Sequence, residues 1–412
     1  MTTRREVLKS AIALVPAALH GRLSLTPRQR ATPRVIVVGA GAFGGWTALE
    51  LVRRGAAVTL IDAWGAGNSR ASSGGETRVI RAVYNGEKVY IDMVRRALTL
   101  WREHEVRSFR ERRVYRETGV LWMFESEDDA YARRSADPMR GVNLTLEELA
   151  VREATHRYPQ IDFAGVRRVW WEKEAGFLLA REACELVWEA CVREGVEYVT
   201  AHVRPGTIVS GRLPHVVLSD DTRREADSFV FACGPWLGSV FPDAIGRRIR
   251  ATKQDVLYFG TPAGDRHFDV GTMPTWVNMG AKLLYGIPGN ERRGFKIADD
   301  TLGVDVDPTA MERRVSPASV TTARRLLRRR FPRLAQAPLL LAEVCQYERS
   351  LDGHFLVDWH PGAANVLLLG GGSGHGFKMG PAIGELAARI VLRQAETLPL
   401  FAYARLRPAG QL

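Results

Sequence analysis

The sequence predicts an α/β protein, with a Rossmann-like parallel sheet in one domain and a second domain that completes the chain. Three observations predict it. A β-branched run leads into a glycine turn, a helix, a second strand and an acid between residues 34 and 62. A strand, glycine loop and helix return near the other end, over residues 366–394. The 412 residues are also too many for one domain of roughly 100–200.

Residues 1–32 stand apart from that plan. Arg4-Arg5-Glu6-Val7-Leu8-Lys9 precedes the apolar segment Ser10–Leu19 and a polar, proline-containing stretch up to Pro33. A basic start, short apolar segment and polar exit make an export signal, and the paired arginines fit the twin-arginine route, which carries folded, cofactor-loaded proteins. The chain is therefore expected in the periplasm or outside the cell. If the segment is only a basic tail, the chain is cytoplasmic.

From Arg34 the chain reads Val35-Ile36-Val37-Val38, without the polar breaks of a half-exposed strand, as a parallel strand buried on both faces should. It enters Gly39-Ala40-Gly41-Ala42-Phe43-Gly44. A helix follows from about Phe43 to Arg54, with Trp46, Leu49 and Val52 at helical spacing, and stops at Gly55. The next strand, Ala57-Val58-Thr59-Leu60-Ile61, ends at Asp62, 18 residues after Gly44. G-x-G-x-x-G alone is a weak signal, but this context makes it a dinucleotide fingerprint. Its glycines let the backbone approach a pyrophosphate at a helix N-terminus, where unpaired N–H groups and the dipole favour an anion. Gly39, Ala40, Gly41, Phe43 and Gly44 would form this cradle. Asp62 would accept from ribose hydroxyls, which disfavours NADP.

Beyond Asp62 the pattern departs from a simple NAD enzyme. Regular βα units are replaced by the Gly/Ser-rich stretch Trp64–Gly75 and then Glu76-Thr77-Arg78. Phe229-Val230-Phe231 runs into Ala232-Cys233-Gly234-Pro235-Trp236, another strand ending in a small-residue turn. Val366-Leu367-Leu368-Leu369 enters Gly370-Gly371-Gly372-Ser373-Gly374-His375-Gly376-Phe377-Lys378, before a helix from about Pro381 to Gln394. Glycine loops near both ends of the chain imply one sheet returning to one long ligand, FAD rather than NAD.

These segments resemble the FAD-dependent D-amino-acid oxidase superfamily and, within it, the monomeric sarcosine oxidase and N-methyltryptophan oxidase group. The resemblance covers about residues 33–405. It is carried by Glu76-Thr77-Arg78-Val79-Ile80-Arg81, Phe295-Lys296, Cys345-Gln346-Tyr347, Asp352-Gly353-His354-Phe355-Leu356-Val357-Asp358 and Gly374-His375-Gly376-Phe377-Lys378. It implies an FAD-binding domain assembled from 33–112, 176–247 and 351–405. An α+β substrate domain with a large mixed sheet would come from 113–175 and 248–350. The same resemblance puts Val203 on the strand passing the adenosine end of FAD, and Gly234, Gly374, His375 and Gly376 against the cofactor.

Each implied role has a bland alternative. The resemblance links Cys345 to the flavin ring by a thioether, whereas the apolar stretch Leu339–Val344 before it reads as burial of an ordinary core cysteine. It puts Arg78 beside the flavin and gives Arg81 the substrate carboxylate, which a planar guanidinium binds well. On a helical turn the two arginines would share a face; in a sheet-edge loop they could diverge. Lys378 becomes a second carboxylate partner that also touches the cofactor, and Lys296 the oxygen-activating cation near the reacting flavin atom. The chain has only seven lysines, yet two follow a Gly-Phe pair at these positions. His375 would lie against the flavin, stabilising the reduced ring by charge or hydrogen bonding. Tyr347 and Tyr258 would line the substrate cavity, although as core aromatics they need no function. One residue departs from the pattern: four positions after Lys296, Asp300 stands where sarcosine oxidases carry a histidine. An acid repels a carboxylate but can hold a cationic amine or a sugar hydroxyl, as in deglycating amine oxidases.

Composition closes off other classes. The net charge of +12 comes from 58 basic and 46 acidic residues that are intermixed rather than gathered on one stripe, so no nucleic-acid partner is expected. No apolar run approaches the roughly 20 residues that span a bilayer. The four cysteines show no short spacing of a metal site or disulfide scaffold. The expected protein is a monomeric FAD-dependent amine oxidase. It takes hydride from the carbon beside an amino-acid-like, N-substituted amine and passes the electrons to oxygen, giving hydrogen peroxide. The alternatives are a dehydrogenase using another acceptor and a deglycating oxidase of fructosyl amino acids.

Overall fold

The computed structural model describes residues 32–301 and 303–406. The twin-arginine segment lies outside them. The uninterrupted apolar strands meet in one six-stranded sheet, in the order Leu356–His360, Ala363–Gly370, Ser228–Phe231, Arg34–Val38, Ala57–Asp62, Glu197–Thr200. The last five run parallel, and Leu356–His360 closes one edge antiparallel. Val37 pairs with Val230 on one side and Leu60 on the other, and all three are buried, as double coverage requires.

The helix expected from about Phe43 spans Ala42–Arg53 and is ended by Gly55 at φ +86°. The helix expected from about Pro381 to Gln394 spans Gly380–Val391. These two helices cross closely: a Cβ on Gly384 would lie 2.6 Å from the Trp46 backbone. Trp46, in turn, meets the Trp101 ring edge-to-face at 5.2 Å, tying in the helix Lys88–Arg107.

A second, eight-stranded sheet runs in the order Leu339–Ser350, Ile249–Phe259, Phe295–Asp299, Leu283–Ile287, Thr275–Met279, Val120–Phe124, Arg168–Glu172, Leu146–Leu149. It is mixed, because Thr275–Met279 and Val120–Phe124 are parallel among antiparallel neighbours. Strand alternation gives it two buried faces. Leu121, Met123, Trp276 and Phe295 pack with the helix Pro317–Arg330. Trp122, Val277 and Ile287 join the core that also contains Val37 and Leu60. A small sheet of Thr77–Ile80, Gly176–Leu179 and Tyr115–Arg116 lies between these segments in sequence.

One expectation from composition fails. Leu339, Leu340 and Leu341 are exposed rather than buried, because their strand is the edge of the eight-stranded sheet. Among the described residues, no helix is long and apolar enough to cross a membrane.

Candidate active site

The glycine turn after Val38 is shaped by close contacts. A Cβ on Gly39, whose φ is +104°, would lie 2.3 Å from the Ala232 carbonyl oxygen, and one on Gly44 1.8 Å from that of Gly39. Gly41 differs: its Cβ would meet only Ser73 Oγ at 3.0 Å, so the protein alone scarcely requires a glycine there. The helix it opens has no side-chain cap and no acid in its first turn, leaving amide donors for an anion. Asp62 first serves the turn. Its Oδ2 accepts from the Ala40 N–H at 2.8 Å and its Oδ1 from those of Trp64 and Gly65 at 2.9 Å.

In front of the turn lies a long cleft, lined among others by Gly39, Gly41, Phe43, Asp62, Val203, Gly234, Gly374 and Gly376. Ala40 and Gly44, also expected to bind cofactor, shape the turn and do not line the cleft. At one end Trp64 packs against Trp236 at 4.8 Å and His202 at 5.1 Å, forming an aromatic wall the sequence reading did not assign. Ser72 Oγ and Glu348 Oε2 belong to residues on the cleft wall and have no protein partner. Free amides, an open glycine and orphaned oxygens fit a long ligand rich in hydroxyl and phosphate groups, as FAD is.

A second, smaller cavity shares Arg78, Gly374 and Phe377 with the cleft. Arg81, Trp122, Tyr131, Tyr285, Asp300, His375 and Lys378 also line it. Arg78 sits on the strand Thr77–Ile80 and Arg81 just beyond it, so no helical turn aligns them. They nonetheless reach the same space. Arg81 lies 4.6 Å from the centre of the Tyr84 ring and 5.4 Å from that of Trp122, and donates to the Val83 carbonyl. Burial opposes its charge, but Tyr131, Tyr84, Asp300 and Glu172 outweigh burial and raise its pKa.

Lys378 is 4% exposed and donates to Tyr84 Oη at 2.9 Å and the His375 carbonyl at 2.8 Å. Burial, reinforced by Arg81, pushes its pKa well below the usual value. His375 Nε2 lies 3.0 Å from the Gly353 carbonyl oxygen, which can only accept, so Nε2 carries the proton and Nδ1 faces Tyr84 Oη at 3.2 Å. Burial and then Lys378 drive the His375 pKa far down. It is a neutral imidazole with both ring nitrogens engaged inside the protein, so the charge expected of it against a flavin is not there. Both His375 and Lys378 line the second cavity rather than the long cleft.

Asp300 is raised in pKa by burial, against the pull of Arg81, and accepts a hydrogen bond from Tyr347 Oη at 2.9 Å. Lys296, 1% exposed, is no surface lysine: its Nζ donates to the Thr77 carbonyl at 2.8 Å. Burial and then the Arg78 charge bring its pKa down to about 7. Tyr258 is its cross-strand partner and is buried. Cys345 is half-buried, with Arg78 Nη2 3.1 Å from its sulfur. Lys296 and Cys345 line neither cavity and stand behind Thr77 and Arg78.

Behind the wall of the second cavity, Tyr84 and Glu172 also escaped the sequence reading. Tyr84 joins Lys378, His375 and Arg81, and it lies only three positions beyond Arg81. Glu172, whose pKa burial lifts to about 7, accepts from the Ala82 amide and from Trp122 Nε1 at 3.1 Å. Nothing local in Trp171-Glu172-Lys173 marks it.

A parallel sheet with a glycine-turn cleft, opening onto a cavity of buried charges, defines a dinucleotide-dependent oxidoreductase. The family profile described as DAO, FAD dependent oxidoreductase, matches residues 34–390, and the chain belongs to this family. It is 26% identical over 378 residues to monomeric sarcosine oxidase of Bacillus sp. (strain B-0618), covering 91% of this chain and 96% of that one. N-methyl-L-tryptophan oxidase of Salmonella heidelberg (strain SL476) is also 26% identical, over 372 residues, covering 89% and 96%. Among solved structures, fructosyl amine:oxygen oxidoreductase (Amadoriase I) of Aspergillus fumigatus shares the fold with a TM-score of 0.77 at 20% identity, covering 90% and 89% of the two chains. L-proline dehydrogenase of P. horikoshii shares it with a TM-score of 0.78 at 19% identity, covering 91% and 97%.

Proposed function

We propose that the chain is an FAD-dependent amine oxidase for amino-acid-like, N-substituted amines. The observation that carries this reading is the second cavity, where Arg81 and Lys378 face Asp300 beside the three residues shared with the cofactor cleft. A buried guanidinium next to a lysine that burial has stripped of proton affinity is a site that a substrate carboxylate would complete. Its arrival restores the proton affinity that burial takes from Lys378. Asp300, steadied by Tyr347, is an acceptor for the amine or a hydroxyl next to it. FAD held in the cleft by the glycine turn would supply two-electron acceptance for hydride from the carbon beside the amine, with oxygen as the final acceptor and hydrogen peroxide as the product. The chain's own residues orient the amine and exclude water from it. Lys296 places a positive charge where oxygen becomes an anion. Arg78 lines the cofactor cleft and has its Nη2 3.1 Å from the Cys345 sulfur, and that proximity supports a thioether from the sulfur to the flavin.

Asp300 favours a second, narrower reading. An acid where sarcosine oxidases carry histidine suits a bulkier amine with hydroxyls, and a fructosyl amine oxidase shares the fold. Residues 1–32 would export the FAD-loaded protein through the twin-arginine route. The test is oxygen uptake and peroxide release by purified, FAD-loaded protein given N-methyl amino acids, fructosyl amino acids and L-proline. Amine-dependent uptake with peroxide is expected. Flavin bleached anaerobically but not reoxidised by oxygen would mean a dehydrogenase with another acceptor.

A further inference from the structure

Glu348 lines the long cleft and is 9% exposed, yet nothing in the proposed chemistry uses it. It sits in the strand Leu339–Ser350, where its backbone carbonyl accepts from the Ser373 N–H at 2.9 Å, pinning the strand to the last glycine loop. That loop makes room for its carboxyl. A Cβ on Gly372 would lie 3.0 Å from Oε1, and one on Gly370 3.3 Å from Oε2. The backbone amides of Gly371 and Gly372 face the carboxyl, while Oε2 is buried without any partner.

The titratable surroundings point to a neutral acid. Among the described residues no cation stands beside Glu348, and burial lifts its pKa to about 7. Its opposite residue on the strand Ile249–Phe259 is Ala251. From the turn after Ser228–Phe231 the group facing it is Cys233, a thiol that burial, Asp62 and Glu348 together keep protonated. Glu348 lines the cleft together with Gly372 and Gly374 of the last glycine loop, and Gly374 also lines the second cavity. An ionised carboxylate there would repel a pyrophosphate; a protonated one donates to it or to a sugar hydroxyl.

We propose that Glu348 meets the cofactor as a neutral acid, its free Oε2 donating a hydrogen bond to a hydroxyl or phosphate oxygen of the bound dinucleotide. This rests on FAD occupying the cleft. Cofactor retention then depends on pH: one proton held at Glu348 favours FAD, so affinity falls by about tenfold per pH unit once the carboxyl ionises.

The experiment compares Glu348→Gln, which keeps a neutral donor, with the parent protein, both in a Cys345→Ala background so that FAD exchanges freely. FAD affinity of the apoproteins is followed by flavin fluorescence from pH 6 to 9. Both retain Lys296, His375 and Lys378, so the difference between them reports Glu348. The two should bind alike at pH 6 and diverge above neutrality, with the parent weakening and the glutamine variant not. Glu348→Ala should bind FAD more weakly at pH 6. Parallel pH profiles, tighter binding by Glu348→Gln already at pH 6, or unchanged binding by Glu348→Ala would each overturn the proposal while leaving FAD in the cleft. A parent protein that takes up no FAD would instead overturn the reading of the cleft itself.

Discussion

The glycine-turn end of the long cleft is made by backbone, and the cavity beside the cleft by side chains. In the cleft, glycines, free amides and carbonyls set the shape, with Gly39 and Gly44 fixed by contacts of 2.3 and 1.8 Å that no Cβ could share. In and behind the cavity wall, Arg81, Lys378, Asp300 and Glu172 are buried titratable groups gathered from four separate stretches of chain, each shifted in pKa by burial and by the others. The first region is rigid because its geometry leaves no alternative. The second carries unspent electrostatic energy, which a ligand of the right charge releases.

The contrast is broken most severely in the turn. Gly44→Val is expected to abolish FAD binding and to destabilise the fold by more than about 3 kcal/mol, read by flavin absorbance and thermal unfolding. Gly41→Ala sharpens the point: its methyl group faces the cleft, so FAD affinity should drop while the apoprotein melts normally.

In the cavity, Arg81→Met should leave the flavin spectrum intact but cost about 2–5 kcal/mol in kcat/KM for carboxylate-bearing amines, much of it from leaving the carboxylate unpaired. Amines lacking the carboxylate should lose far less. Lys296→Met should slow reoxidation of reduced flavin by oxygen roughly 10²–10³-fold in stopped-flow traces while sparing anaerobic reduction. Because burial lowers the Lys296 pKa to about 7, its charge is present below that pH and lost above it. The wild-type oxygen reaction should therefore slow as pH rises through 7, and the methionine variant should not. The smallest effect belongs to Asp300→Asn, which keeps a hydrogen bond with Tyr347. It should change preference among amines by about 1 kcal/mol, seen in relative kcat/KM values.

The same contrast explains what the sequence discloses. The cleft is local: strand, turn, helix and acid follow one another within residues 34–62, so the motif announces the geometry. The cavity is assembled across the chain, and its residues were reachable mainly through resemblance to a family. Arg78 and Arg81 meet the same space from a strand, not the helical turn that their spacing allows. Burial of Lys296 and Lys378 depends on sheets that no local pattern specifies. Tyr84, Glu172 and Glu348 were missed because a buried polar side chain looks, in sequence, like any surface one. Leu339–Leu341 show the converse, since an apolar triplet on an edge strand stays exposed.

The central claim, that an FAD cleft opens onto a cavity for a carboxylate-bearing amine, is tested most directly by anaerobic titration of the FAD-loaded protein. Flavin absorbance would be followed with an N-methyl amino acid and with the matching amine lacking its carboxylate. The account predicts bleaching by the amino acid at far lower concentration than by the simple amine, with the gap collapsing in Arg81→Met. Flavin left oxidised by every amine, or reduced equally by both, would contradict it.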